Sequence, residues 1–166
     1  IRYLQKKPEK NLVRLMNAAD AFAHGGFARQ RNAIRQAITD PSHPYHDYIL
    51  HMIRDVDPEV LQVLGVNFFF HANLMGWPKQ DAAREKYGCN IPWAILLDPT
   101  SACNLHCTGC WAAEYGHKLD LTYEEIDNII QQGKELGVYM YIYTGGEPLV
   151  RKKDVIRLCE KHNDCI

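Results

Sequence analysis

The strongest constraint on this chain is a change of hydrophobic period near residue 90. After Cys89, Trp93-Ala94-Ile95-Leu96-Leu97 is a short apolar run bounded by Pro92 and by Asp98-Pro99, the pattern of a strand buried on both faces. Thr122-Tyr123-Glu124-Glu125 is a capping box, in which the Thr hydroxyl and the Glu carboxylate each satisfy an otherwise orphan backbone N–H. The helix it opens carries Ile126, Ile129, Ile130 and Leu136, and Gly137 is placed to end it. Val138 to Tyr143 is β-branched and aromatic enough for a second strand. Gly145-Gly146-Glu147-Pro148 then turns the chain, and Lys152 to His162 forms a second helix. Strand, helix, strand, helix at this spacing predicts an α/β fold with a parallel sheet and right-handed crossovers. Tyr139, Tyr141 and Tyr143 alternate to one side of the second strand, which leaves open whether that side is the sheet's inner face or the one under the helices.

The connection from Asp98 to Leu121 is too long for an ordinary strand-to-helix loop, usually about 2 to 6 residues. It holds Cys103, Cys107 and Cys110. Three residues separate the first pair and two the second, so the thiolates can converge on one inorganic centre while the intervening amides point at its sulfides. Three ligands leave a fourth position for a small molecule if the centre is a four-iron cluster. Structural zinc instead prefers four protein ligands in a closed tetrahedron. His106 sits awkwardly beside Cys107, and Cys89 or His117 could complete such a set. The spacing alone favours iron–sulfur and keeps zinc open. Cys89, Cys159 and Cys165 are scattered and read as ordinary small buried residues.

Thr144-Gly145-Gly146-Glu147-Pro148 stands at the end of the second predicted strand, one helix after the cysteines. Glycines let a backbone approach a ligand closely, and a glutamate can accept a hydrogen bond from an ammonium group. With both motifs in these positions, the sequence resembles the radical S-adenosylmethionine superfamily over roughly residues 93 to 165. The resemblance implies the first two βα units of a partial (β/α) barrel. It implies a [4Fe-4S] cluster on Cys103, Cys107 and Cys110, whose open iron chelates S-adenosylmethionine. It further implies that Gly145, Gly146, Glu147 and Pro148 meet the methionine end, and that the reduced cluster yields a 5′-deoxyadenosyl radical that takes hydrogen from a substrate such as a peptide or lipid. An electron donor such as a flavodoxin or ferredoxin and a cytoplasmic setting follow from the same likeness. Family members often place an aromatic residue before the third cysteine; here Gly109 stands there, so adenine would be met by its backbone, with Trp111 just beyond. The rival reading is a non-catalytic scaffold, stabilised by zinc or an iron–sulfur centre, that docks a partner through its helical region.

Residues 1–90 form that helical region, and residues 91–166 the start of the barrel. Leu12, Val13, Leu15, Met16, Ala19, Phe22 and Ala23 recur at helical spacing until Gly25-Gly26. Phe27 to Ile38 forms a second helix, and Tyr45, Tyr48, Ile49, Met52 and Ile53 line a third. Asp57-Pro58 opens a long apolar helix to about Gly76, and a short helix around Asp81 to Tyr87 ends at Gly88. Phe68-Phe69-Phe70 with Leu61, Leu64 and Leu74 reads as core, and His43, His46 and His51 as packed or solvated. The stretch Val60 to Met75 is interrupted by polar residues and is shorter than the roughly 20 residues a membrane span needs. No secretory signal pattern is present. Net charge is −1, which gives no whole-chain case for nucleic acid or an anionic membrane. Residues 1–40 do carry an excess of +5, from eight Lys and Arg against Glu9, Asp20 and Asp40, read as a solvated helix face. The chain starts at Ile1 and stops as an apolar run begins at Cys165-Ile166, so a piece of a longer protein is expected, inactive alone and lacking the later strands that hold substrate.

Overall fold

The computed structural model describes residues 1–22, 28–110 and 120–166. The expected break at Gly25-Gly26, the start of the second helix at Phe27, and Trp111 and His117 lie outside them. The chain divides into two compact units, Ile1–Val63 and Leu64–Ile166.

In the first unit, helices α1 (Arg2–Lys6), α2 (Pro8–Phe22), α3 (Ala28–Thr39) and α4 (His46–Asp55) pack around Leu12, Met16 and Ile38, with Leu4, Val13, Ile49, Leu50 and Ile53 against them. Part of the positive excess is internally paired, because Arg31 and Arg35 both bond Asp20. His46 is buried against the Ala37 carbonyl, and His43 and His51 make local backbone bonds. Asp57 caps α5 (Pro58–Gly65), accepting from the Glu59 and Val60 amides at 2.8 and 3.3 Å.

The second unit starts earlier than the change of period at residue 90, because the segment before it packs on the βα elements. A π-helix (Val66–Met75) continues α5, and α6 (Gly76–Tyr87) continues it in turn. Gly76 therefore does not stop a helix, contrary to the expectation from sequence. It is needed for approach: a Cβ there would lie 2.6 Å from the Gly137 carbonyl oxygen. Gln80, fully buried, donates to the same carbonyl at 2.8 Å. The aromatic run is also not core. Phe69 is 63% exposed, with Phe68 and Phe70 exposed beside it. The inward face of the π-helix is instead Asn67, whose amide donates to the carbonyls of Asn163 and Cys165 at 2.9 and 2.8 Å, together with Ala72. Polar anchoring of the carboxy-terminal segment thus turns the phenylalanines outward.

Strands β1 (Ala94–Leu97) and β2 (Met140–Tyr143) pair in parallel, with Ala94 opposite Met140 and Leu97 opposite Tyr143. Helix α7 (Tyr123–Glu135) joins them, and a 3-10 turn (Pro148–Arg151) leads into α8 (Lys152–Lys161). The chain is thus a mixed helical protein with a small parallel sheet. The capping box forms as written: Glu125 N–H donates to the Thr122 hydroxyl at 3.1 Å, and Thr122 N–H donates to the Glu125 carboxylate at 2.7 Å. Ile126 and Ile130 of α7 are 1% and 2% exposed, burial worth roughly 1.5–3 kcal/mol for each side chain. Gly137, at φ +89°, carries the chain out of the helix. Thr122→Ala is expected to cost about 0.5–2 kcal/mol, read as a lower urea midpoint; an unchanged midpoint would show the cap to be dispensable.

The tyrosines face the helices. Tyr141 donates to the Ile130 and Val138 carbonyls at 3.0 Å each, and Tyr143 packs on the same core. Burial pushes both phenols upward, Tyr143 to about 12. The other face is not covered as a doubly buried strand would require: Leu96 is 63% and its partner Ile142 43% exposed. Helices α7 and α8 contribute core to one side only. Beyond β2, Ile166 N–H donates to the Tyr139 carbonyl at 2.8 Å and the Tyr141 N–H to the Ile166 carbonyl at 2.7 Å, a bond pattern that continues the parallel sheet. No helix among the described residues is long and apolar enough to cross a membrane.

Candidate functional site

Parallel pairing sends the carboxyl ends of β1 and β2 out at the same end of the sheet, where open α/β folds bind their ligands. The segments that follow the two strands run on in contact. Thr144 N–H donates to the Leu97 carbonyl at 2.8 Å, Gly146 N–H to the Thr100 carbonyl at 3.0 Å, and Glu147 N–H to the Ala102 carbonyl at 2.8 Å. The second motif is therefore strapped along the stem of the cysteine loop. Its glycines serve this approach. A Cβ on Gly145, whose φ is +98°, would lie 2.9 Å from the Asp98 Cβ, and one on Gly146 would overlap the Ala102 carbonyl. Sequence reasoning assigned these glycines to a ligand; the structure adds that they admit the stem of the cysteine loop.

The long connection is pinched shut at its base. Thr100 bridges Asp120 in antiparallel fashion, and its hydroxyl donates to the Asp120 carboxylate at 2.6 Å. The same oxygen accepts from Ala102 N–H at 3.0 Å, and Leu121 N–H reaches the Pro99 carbonyl at 3.2 Å. Arg151, from the 3-10 turn, closes the neck from outside. Its Nη1 donates to the Pro99 carbonyl at 2.8 Å and to the Leu121 carbonyl, while Nε and Nη2 reach Asp154 at 3.2 and 2.7 Å. Sequence reasoning missed Arg151. Its available signals were its place just after the turn-forming motif and its i,i+3 spacing to Asp154.

The three cysteines lie beyond the neck. Cys107 is exposed and Cys103 and Cys110 are partly buried, all as free thiols. Leu105 N–H points at the Cys103 sulfur at 3.4 Å, and Cys110 N–H closes a turn on the Cys107 carbonyl at 3.2 Å. Gly109 has φ +75° in open space, so its backbone conformation is what calls for glycine there. Glu147 is partly buried, and one carboxylate oxygen caps the 3-10 turn through the Leu149 N–H at 2.9 Å. Among the described residues no group of three or more His, Cys, Asp or Glu stands close enough to hold a metal ion. The donor set nevertheless fits an iron–sulfur centre, with three thiols in one loop and a backbone N–H already directed at a sulfur. The stem is preorganised and the thiols are not.

The scattered cysteines depart from expectation. Cys89 and Cys159 are exposed, and only Cys165 packs against the core. Burial pushes its thiol up to about 12.

Residues 97–164 match the family model described as the radical SAM superfamily. The chain is 40% identical over 72 residues to a GTP 3′,8-cyclase of Petrotoga mobilis, covering 41% of this chain and 22% of that protein. Likeness to a GTP 3′,8-cyclase of Alkaliphilus oremlandii is 48% over 61 residues, 34% of this chain and 19% of the relative. A PqqA peptide cyclase of Bradyrhizobium diazoefficiens is 34% identical over 88 residues, 52% of this chain and 22% of the relative. The chain thus spans about a fifth of the length of these relatives. No solved structure matches. Residues 97–164 are thus similar to the radical SAM superfamily, whose members use a [4Fe-4S] cluster and S-adenosylmethionine.

Proposed function

We propose that this chain carries the cofactor-binding start of a radical S-adenosylmethionine enzyme, with Cys103, Cys107 and Cys110 as the ligands of its [4Fe-4S] cluster. The observation that carries the reading is the strapping of Gly145-Gly146-Glu147 along the stem of the cysteine loop, at the carboxyl ends of two parallel strands. When bound, the cluster supplies one electron to the sulfonium of S-adenosylmethionine, releasing the 5′-deoxyadenosyl radical that abstracts hydrogen from substrate. Within this frame Glu147 and the backbone of Gly145, Gly146 and Pro148 receive the methionine end, and the backbone at Gly109 faces adenine. Glu147 can accept from an ammonium group through the carboxylate oxygen that does not cap the Leu149 amide.

Residues 91–166 are read as the first two βα units of a partial barrel, and residues 1–90 as a helical region before it. The hydrogen bonds between Ile166 and β2 support continuation of the sheet in chain order. The exposed Leu96–Ile142 face then becomes the inner face of that barrel. Relatives named for GTP and for a peptide match alike over short stretches, which supports shared cofactor chemistry more than a shared substrate. The electron would come from a flavodoxin or ferredoxin in the cytoplasm.

Anaerobic reconstitution of the full-length protein with iron and sulfide is expected to give a brown chromophore that dithionite bleaches, and S-adenosylmethionine is then expected to yield 5′-deoxyadenosine. Stoichiometric zinc with no chromophore and no cleavage would overturn the proposal in favour of a metal-stabilised scaffold.

A further inference from the structure

We propose that Arg151 is a positioning residue for the cluster: its guanidinium ties the two ends of the cysteine loop together and so sets where the three thiols emerge. The inference rests on the function proposed above and adds a residue that touches neither cluster nor substrate.

The argument begins with loop entropy. The loop between Pro99 and Leu121 is long, and closing its ends costs conformational freedom. The described thiols are not gathered into a ligand set, and the contacts that join the two ends of the loop lie at its base. There the backbone supplies Leu121 N–H to the Pro99 carbonyl and the Thr100–Asp120 bridge. Both carbonyls at the neck, Pro99 and Leu121, receive the same Arg151 nitrogen. Pro99 is almost fully buried and the Arg151 side chain largely so, and a hydrogen bond from a charged donor is stronger than one between neutral groups. Asp154 holds the other side of the guanidinium plane and fixes its direction. Arg151 also opens α8 four residues after Glu147, which caps the turn. One side chain thus links the loop's entry, its exit and the segment bearing Glu147. A lysine keeps the charge but offers one compact ammonium in place of a planar fork, and cannot reproduce the arrangement.

The test uses the full-length protein as wild type, Arg151→Met, Arg151→Lys and Asp154→Asn. In the metal-free proteins, hydrogen exchange followed by mass spectrometry reports on peptides holding Ala102, Leu121 and Glu147. Arg151→Met is expected to exchange about tenfold faster there, while Asp154→Asn stays close to wild type because the guanidinium still reaches both carbonyls. After anaerobic reconstitution, Arg151→Met is expected to hold less iron per chain. The spectral change that S-adenosylmethionine induces in its reduced cluster should be weakened. If Arg151→Met does not fold, Arg151→Lys carries the comparison, with exchange and iron content between the two extremes. Equal effects of Asp154→Asn and Arg151→Met would overturn the inference, reducing Arg151 to a helix-end ion pair, and so would a variant at Arg151 that exchanges and loads iron like wild type. A wild type that takes up no cluster overturns the proposed function instead, and the clamp is then decided by exchange rates alone.

Discussion

Cys103→Ala, Cys107→Ala and Cys110→Ala, made singly in the full-length protein, are each expected to remove the bleachable chromophore and to lower 5′-deoxyadenosine formation by roughly a thousandfold or more, about 4 kcal/mol. The size follows from the ligand count. With one of three thiolates missing, two irons lack protein ligands and the cluster is no longer held with a single open position. Among the described residues no group of His, Cys, Asp or Glu stands ready to take a missing ligand's place. Cys89→Ala and Cys159→Ala are the controls, both at exposed thiols outside the loop, and both are expected to keep chromophore and turnover. Iron analysis and visible spectra under anaerobic conditions read the result. A Cys107→Ala protein that keeps its chromophore, or a Cys89→Ala protein that loses it, would remove the ligand assignment.

Gly146→Ala is expected to separate cluster assembly from cofactor binding. An added Cβ overlaps the Ala102 carbonyl, which is also the acceptor of the Glu147 N–H, so the strap must lift from the stem. Overpacking of this kind costs about 1–3 kcal/mol, and the displacement falls on the segment proposed to receive methionine. The expected result is a KM for S-adenosylmethionine raised roughly 10- to 100-fold, with iron content near wild type because the cysteines are untouched. Gly65→Ala serves as the reference: it lies in helical backbone with nothing within 4 Å of the new Cβ, and is expected to be neutral or slightly stabilising. Wild-type KM in Gly146→Ala would show that the strap's seating does not matter to the cofactor.

The local signals in the sequence were read well where a residue acts on its own neighbours. Thr122 and Glu125 form their box, Asp57 caps its helix, and Gly137 ends α7. Parallel order followed from period and spacing, and the pairing of β1 with β2 agrees. Readings that depended on distant partners fared worse. Gly76 looked like a terminator because its partner, the Gly137 carbonyl, lies 61 positions away. The three phenylalanines looked like core because hydropathy does not reveal that Asn67 is tied inward by two carbonyls. Leu96 read as buried on a strand whose apolar run carries no mark of which face the helices cover. At the proposed site, the cysteines stood out by their spacing and Gly145-Gly146-Glu147 by the family resemblance. Arg151 was marked only by its place after the motif and its spacing to Asp154, since its other acceptors are main-chain carbonyls and any residue type supplies those.

The order of the strands has a consequence for synthesis. Here β1 pairs with β2, and the edge of β2 away from β1 accepts Ile166, so neighbours in the sheet are neighbours along the chain. Each addition needs only the segment most recently made, and no strand must wait to be inserted between two already paired. A polypeptide emerging from the ribosome, where domains generally form from the amino-terminal side onward, could lay this sheet down in the order of translation. The neck of the cysteine loop would be among its first long-range closures, made as soon as the turn bearing Arg151 has left the exit tunnel.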